Sequence, residues 1–155
     1  VIVEIPKGSR NKYELDKVTG RVMLDRTLFT SMAYPADYGF IDGTLGEDGD
    51  PLDALVLVTE PTFPGCGIYV RPIGVFHMED EKGPDEKIIC VPLKDPRWSE
   101  AQTVDDIGFA FKDELEHFFQ VYKDLEAGKV ETGGFTGVDA AWQFIREARE
   151  RAAAG

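Results

Sequence analysis

The chain has 155 residues, enough to bury a sizeable core without disulfide support, and its 29 acidic against 17 basic residues leave a formal net charge of −12. That charge argues against adhesion to nucleic acid or to an anionic membrane surface, since both depend on basic patches, and it suits cation binding. The two cysteines, Cys66 and Cys90, are too few for a disulfide scaffold and point to a reducing, cytosolic compartment. No apolar run approaches the roughly 18 residues of a membrane span, and no charged-then-apolar leader opens the chain. Val1 already lies in a strand-like pattern without a start methionine, so the N-terminus reads as processed or left out. The expectation is one domain over residues 1–155.

In chain order, Val1 to Ile5 predicts a strand stopped by Pro6, with Glu4 its one polar side chain. Lys12 to Asp16 alternates, setting Lys12, Glu14 and Asp16 against Tyr13 and Leu15, and Thr19-Gly20 turns it into a hairpin with Arg21 to Asp25. Thr30 to Ile41 is aromatic and interrupted by Pro35 and Gly39, which predicts an ordered loop or a strained edge strand. Strands are expected over Ala54 to Val58, from Ile68 to about Met78, and over Ile88 to Val91, with a charged loop at Asp80 to Lys87. From Thr103 the apolar residues Phe111, Leu115, Phe118, Phe119 and Tyr122 recur at helical spacing, with Gly128 as the expected exit. A last helix is expected after the capping pattern Thr136-Gly137-Val138-Asp139, burying Trp142, Ile145 and Ala148, while Val130 to Thr136 follows no recognisable pattern. The outline is a mainly β, α+β chain in which a small strand-rich barrel is flanked by two helices.

Chemistry concentrates at Asp48-Gly49-Asp50-Pro51-Leu52-Asp53, three carboxylates within six residues. Like charges so close need solvent or a bound cation to relieve them, so the stretch is either a wet turn or a metal site. An EF-hand fails, because counting from Asp48 its sixth and twelfth places hold Asp53 and Thr59 instead of glycine and glutamate. An aspartyl-phosphate phosphatase also fits poorly, since the strand follows the aspartates here instead of preceding them. What remains is a hard-cation site, for which magnesium fits best: it takes a few carboxylates, keeps several waters and is completed by substrate phosphate. Asp80 and Asp85, flanking Gly83-Pro84, could add ligands or form a solvated hairpin tip. Lys12 with Glu14 could be a surface ion pair, Arg26 a surface arginine, and Tyr34, Tyr38 and Tyr122 core aromatics. His77 and His117 are the only histidines, far apart in sequence and without local partners, so neither is read as a ligand.

These residues resemble the soluble family I inorganic pyrophosphatases, of bacterial type. Asp48-Gly49-Asp50-Pro51-Leu52-Asp53-Ala54 looks like the family signature. Val3-Glu4-Ile5-Pro6, Lys12-Tyr13-Glu14, Asp25-Arg26, Tyr34-Pro35 with Tyr38-Gly39, Asp80-Glu81 with Asp85 and Lys87, and His117-Phe118-Phe119 with Tyr122-Lys123-Asp124-Leu125 agree in order and spacing. The resemblance implies a five-stranded, strongly twisted OB-fold-like barrel and magnesium-dependent hydrolysis of pyrophosphate to two phosphates, with several Mg²⁺ per site and Mn²⁺ or Zn²⁺ as substitutes. It implies Asp48, Asp53, Asp80 and Asp85 as metal ligands, Glu4 and Glu14 lining the same cavity, and Asp50 beside the attacking water, with Asp85 as the second choice for general base. It implies Lys12, Arg26, Tyr38, Lys87, Tyr122 and Lys123 as phosphate-holding residues and a homohexamer as the assembly. The competing reading from another class is a non-enzymatic binding module on an OB-like barrel, its acidic turns serving as calcium or partner sites; the chain shows no basic groove interleaved with aromatics that would favour nucleic acid.

Overall fold

The structure, a computed structural model, describes residues 1–155. Its strands are β1 (Ile2–Ile5), β2 (Asn11–Leu15), β3 (Val22–Thr27), β4 (Asp37–Phe40), β5 (Asp53–Val56), β6 (Val70–Asp80), β7 (Gly83–Pro84), β8 (Lys87–Pro92) and β9 (Glu131–Thr136). Two helices follow the strand-rich body, α1 (Phe109–Val121) and α2 (Val138–Ala154), with short 3₁₀ turns at Pro96–Trp98 and Val104–Asp106. One sheet runs in the order β1-β4-β5-β8-β6-β7 with β9 paired to β6, and β2-β3 forms a separate hairpin. The mainly β body with two helices is as expected; the sheet, however, carries seven strands, six along a path open between β1 and β7, with β9 beside β6.

The apolar run from Ala54 to Val58 is continuous because both faces of β5 are covered. Leu55 and Leu57 join Ile5, Ile73, Phe76 and Ile89 in a core with Leu115, Phe118 and Phe119 of α1. Ala54, Val56 and Val58 face the other way, onto Val75, Ile88, Cys90 and the α2 residues Ala141 and Ile145. β5 therefore pairs with β8 in parallel register, Ala54 opposite Ile88, and this brings the acidic start of β5 beside the start of β8.

Several sequence expectations are corrected. Asp37–Phe40 is neither loop nor edge but an inner strand between β1 and β5. Gly39 stands opposite Val3, where an added Cβ would overlap the Ile2 carbonyl oxygen, so the glycine serves a close approach of two backbones. Glu131–Thr136 is a strand on β6, held by cross-strand pairing its own composition does not announce. Helix α1 ends at Val121, well short of Gly128, and α2 is capped by Gly137 without a side-chain hydrogen bond. Trp142 on α2 keeps 38% of its surface exposed, whereas Ile145 and Ala148 are buried. The hairpin alternation is also interrupted, by a bulge between Lys12 and Tyr13.

Gly39→Ala is expected to cost about 3 kcal/mol or more, since the methyl meets backbone that cannot move without breaking the β1–β4 pairing. Urea unfolding of the variant measures this; a shift below about 1 kcal/mol would show that β1 can move away.

Candidate active site

The carboxylates of the acidic stretch are presented by a loop that the chain ties at several points. Ile41 N–H donates to Leu52 O at 2.9 Å, and the buried Thr44 hydroxyl bridges Ile41 O and Leu52 N–H. From behind, Leu45 N–H donates to Ala148 O of α2 at 3.0 Å and Arg151 Nη1 donates to Leu45 O at 2.7 Å. The turn itself closes with Asp50 N–H on Asp48 Oδ1 at 3.0 Å, and Gly49 takes φ +89°, a conformation only glycine adopts freely. Asp48 and Asp50 are left exposed at the tip, and Asp53 begins β5.

The turn forms one wall of a cleft of ≈ 420 Å³. Glu4 from β1, Glu14 from β2, Asp80 at the end of β6 and Asp85 before β8 line the same cleft with Asp48, Asp50 and Asp53. Lys12, Tyr38, Lys87, Tyr122 and Lys123 line it too. Arg26 alone of the expected residues is outside the lining: its guanidinium is held by Asp25 Oδ2 at 2.6 Å and Glu126 Oε1 at 2.9 Å. Tyr13, Lys17 and Lys82 also reach the cleft and were not singled out from the sequence. For Tyr13 the reason is the bulge, which breaks the alternation that placed it on the far face. Lys17 and Lys82 belong to turns that read as ordinary solvated tips, and only the placement of both turns at one rim distinguishes them.

Lys87 is 2% exposed, and its ammonium lies 2.8 Å from Asp53 Oδ2, 3.0 Å from Asp85 Oδ2 and 2.7 Å from the Tyr38 hydroxyl. Its pKa stands well above the ordinary lysine value: burial alone would lower it, but Asp53, Tyr38 and Asp85 outweigh that. Asp85 is raised by burial, with Asp53 adding to the rise and Lys87 opposing it. Glu4 is likewise raised by burial, against the Leu15 N–H that its carboxylate accepts at 2.8 Å. Tyr122 is pushed up to about 12 by burial, so it acts as a neutral hydroxyl. Lys123 Nζ sits 5.5 Å from the Tyr122 ring centre and 4.0 Å from Asp80 Oδ2.

This donor set fits a hard divalent cation. It offers oxygen ligands from five separate segments, crowded enough that burial and mutual repulsion lift two of the carboxylates, and one ammonium is already drawn between Asp53 and Asp85. No three of the carboxylates converge on one point as a finished ligand set.

Comparison with known proteins agrees with this chemistry. The family model described as inorganic pyrophosphatase matches residues 1–153. An inorganic pyrophosphatase of Leifsonia xyli is 64% identical over 132 residues, covering 85% of this chain and 81% of the relative. That of Streptomyces coelicolor is 56% identical over 152 residues, covering 97% and 93%. Among solved structures, the inorganic pyrophosphatase of Helicobacter pylori superposes with a TM-score of 0.97 at 43% identity over 99% of this chain and 92% of that one. The Thermus thermophilus enzyme superposes with 0.96 at 45% identity, covering 98% and 89%. The acidic cleft and the match along nearly the whole length lead to one assignment: the chain belongs to the inorganic pyrophosphatase family.

Proposed function

We propose that this chain, as one domain over residues 1–155, hydrolyses inorganic pyrophosphate to two phosphates in a Mg²⁺-dependent reaction, with Mn²⁺ or Zn²⁺ as substitute ions. The observation that carries the reading is the single cleft in which seven carboxylates face a set of lysines and tyrosines. Asp48, Asp53, Asp80 and Asp85 would hold the metal, with Glu4 and Glu14 completing the acidic lining. When bound, the metal spreads the charge of pyrophosphate and lowers the pKa of the water it holds.

Within this reading the chain's own residues divide the remaining work. The water oxygen attacks one phosphorus as that atom's bond to the bridging oxygen breaks, and the water proton passes to a carboxylate. Asp50 is favoured as that base. Unlike Asp48, Asp53 and Asp85, it does not border the second cavity of ≈ 370 Å³ behind the turn. Its carboxylate accepts no hydrogen bond from the chain, while Asp85 Oδ2 already holds Lys87. Lys12 and Lys123 meet the charge of the departing phosphate and the Tyr122 hydroxyl donates to it, with Arg26 at the rim. Lys87 spends its donors on Asp53, Asp85 and Tyr38, so it serves the phosphate through the carboxylates and Tyr38 that it orders.

The same reading takes the path β1-β4-β5-β8-β6 as the five strands of a twisted OB-fold-like barrel, with the β2–β3 hairpin packed beside β1. It also takes the assembly as a homohexamer and the compartment as cytoplasmic, with neither nucleic acid nor membrane as partner; no helix is long and apolar enough to cross a membrane.

Phosphate release from pyrophosphate, followed by a colorimetric assay beside ATP as control, should require Mg²⁺. Asp53→Ala should lower it by roughly a hundredfold or more while near-ultraviolet circular dichroism is retained. A fully active Asp53→Ala protein would remove the metal assignment. Lys87→Met is expected to lower the unfolding free energy by about 2 kcal/mol, less than for a fully buried pair because Asp53 and Asp85 keep 29% and 25% of their side-chain surface. An unchanged urea midpoint would mean that the two carboxylates tolerate each other without the ammonium.

A further inference from the structure

The hairpin β2–β3 carries Lys12 and Arg26, and the turn that follows α1 carries Tyr122 and Lys123, so four of the residues expected to hold phosphate come from two separate bodies. One ion pair joins them: Arg26 Nη2 to Glu126 Oε1 at 2.9 Å, across 100 residues of sequence. Glu126 belongs to the same tight turn as Lys123, its N–H donating to Lys123 O at 2.8 Å. Its side chain is 13% exposed and that of Arg26 22% exposed, which removes this contact from the class of solvated surface pairs. Arg26 Nε and Glu126 Oε2 are both buried without a partner, so each residue has little alternative to the other. On its own strand Arg26 also meets Asp25, which shares its Oδ2 with Lys12 at 3.3 Å. The Asp25 contact is local to the hairpin; only Glu126 ties the guanidinium to the opposite wall.

We propose that Glu126 is a positioning residue for substrate binding: through Arg26 it fixes the hairpin against the Tyr122–Lys123 turn and so sets the spacing between Lys12 and the Tyr122–Lys123 pair, which together hold the phosphate away from the attack. The inference rests on the pyrophosphatase reading above. A charge-assisted bond between partly buried groups is strong enough for its loss to register in binding, and without Glu126 the guanidinium keeps only Asp25 on its own hairpin and no longer ties that hairpin to the turn. Because Lys12, Tyr122 and Lys123 hold a phosphate that is already charged in the bound substrate, a wrong spacing weakens ground-state and transition-state binding alike, and the loss should fall mainly on KM.

The test is steady-state hydrolysis of pyrophosphate at saturating Mg²⁺. Glu126→Ala should raise KM about tenfold with kcat altered less than about threefold, and Glu126→Gln, which keeps an acceptor oxygen, should fall between it and the wild type. In a double-mutant cycle, Glu126→Ala added to Arg26→Ala should leave KM where Arg26→Ala alone puts it, since both act through one guanidinium. An unmoved KM, fully additive effects, or a lowered thermal midpoint with unchanged KM would each overturn the role of Glu126 while leaving the activity standing. A wild-type protein without turnover of pyrophosphate would overturn the activity and this role together. Should Glu126→Ala fail to fold, the near-isosteric Glu126→Gln carries the same cycle.

Discussion

Lys87 holds a buried ammonium between Asp53 and Asp85, at 2.8 and 3.0 Å, and the acidic wall of the cleft depends on that arrangement. Two carboxylates brought this close repel unless a cation lies between them, and a cation buried to 2% exposure is tolerated only when it is paired and hydrogen-bonded. Each side therefore requires the other. The Tyr38 hydroxyl accepts the remaining bond at 2.7 Å, so one lysine couples β4, β5 and β8 at the mouth of the cleft.

The sheet topology makes this coupling unavoidable. β5 and β8 run parallel with Ala54 beside Ile88, so the residues just before each, Asp53 and Lys87, lie at the same end. Asp85 lies two residues before Lys87 and folds back onto it after the short β6–β7 hairpin. Behind the wall, α2 contributes Ala148 and Arg151 to the loop that carries Asp48 and Asp50, and the interior of the sheet is closed by apolar cores on both faces. The rigid side of the site is thus the acidic one. Lys12, Tyr122 and Lys123 come instead from a hairpin and a post-helical turn, held across the gap by Arg26 and Glu126.

The division explains why Arg26 stands at the rim. Its two nearest groups are carboxylates from different elements, and both draw it away from the lining. Lys87 shows the reverse case, a residue whose charge is spent wholly within the chain although its position in the cleft invites a direct role on phosphate.

Much of this was legible from residue order. Three aspartates around Gly49 and Pro51 announce an acidic turn because like charges and turn-forming residues act over a few positions, and the same local physics marks the helical spacing from Phe111 to Tyr122. The family pattern then named the set of side chains before any was placed. What tertiary structure decided are the features that depend on partners distant in sequence. Gly39 signals an edge or a loop by itself, but serves the close packing of β4 on β1. Glu131–Thr136 has no strand signal and becomes one by pairing with β6. Lys87 closes an ordinary charged loop and Glu126 belongs to no motif, and only burial together with contacts 34 and 100 residues away sets the two apart.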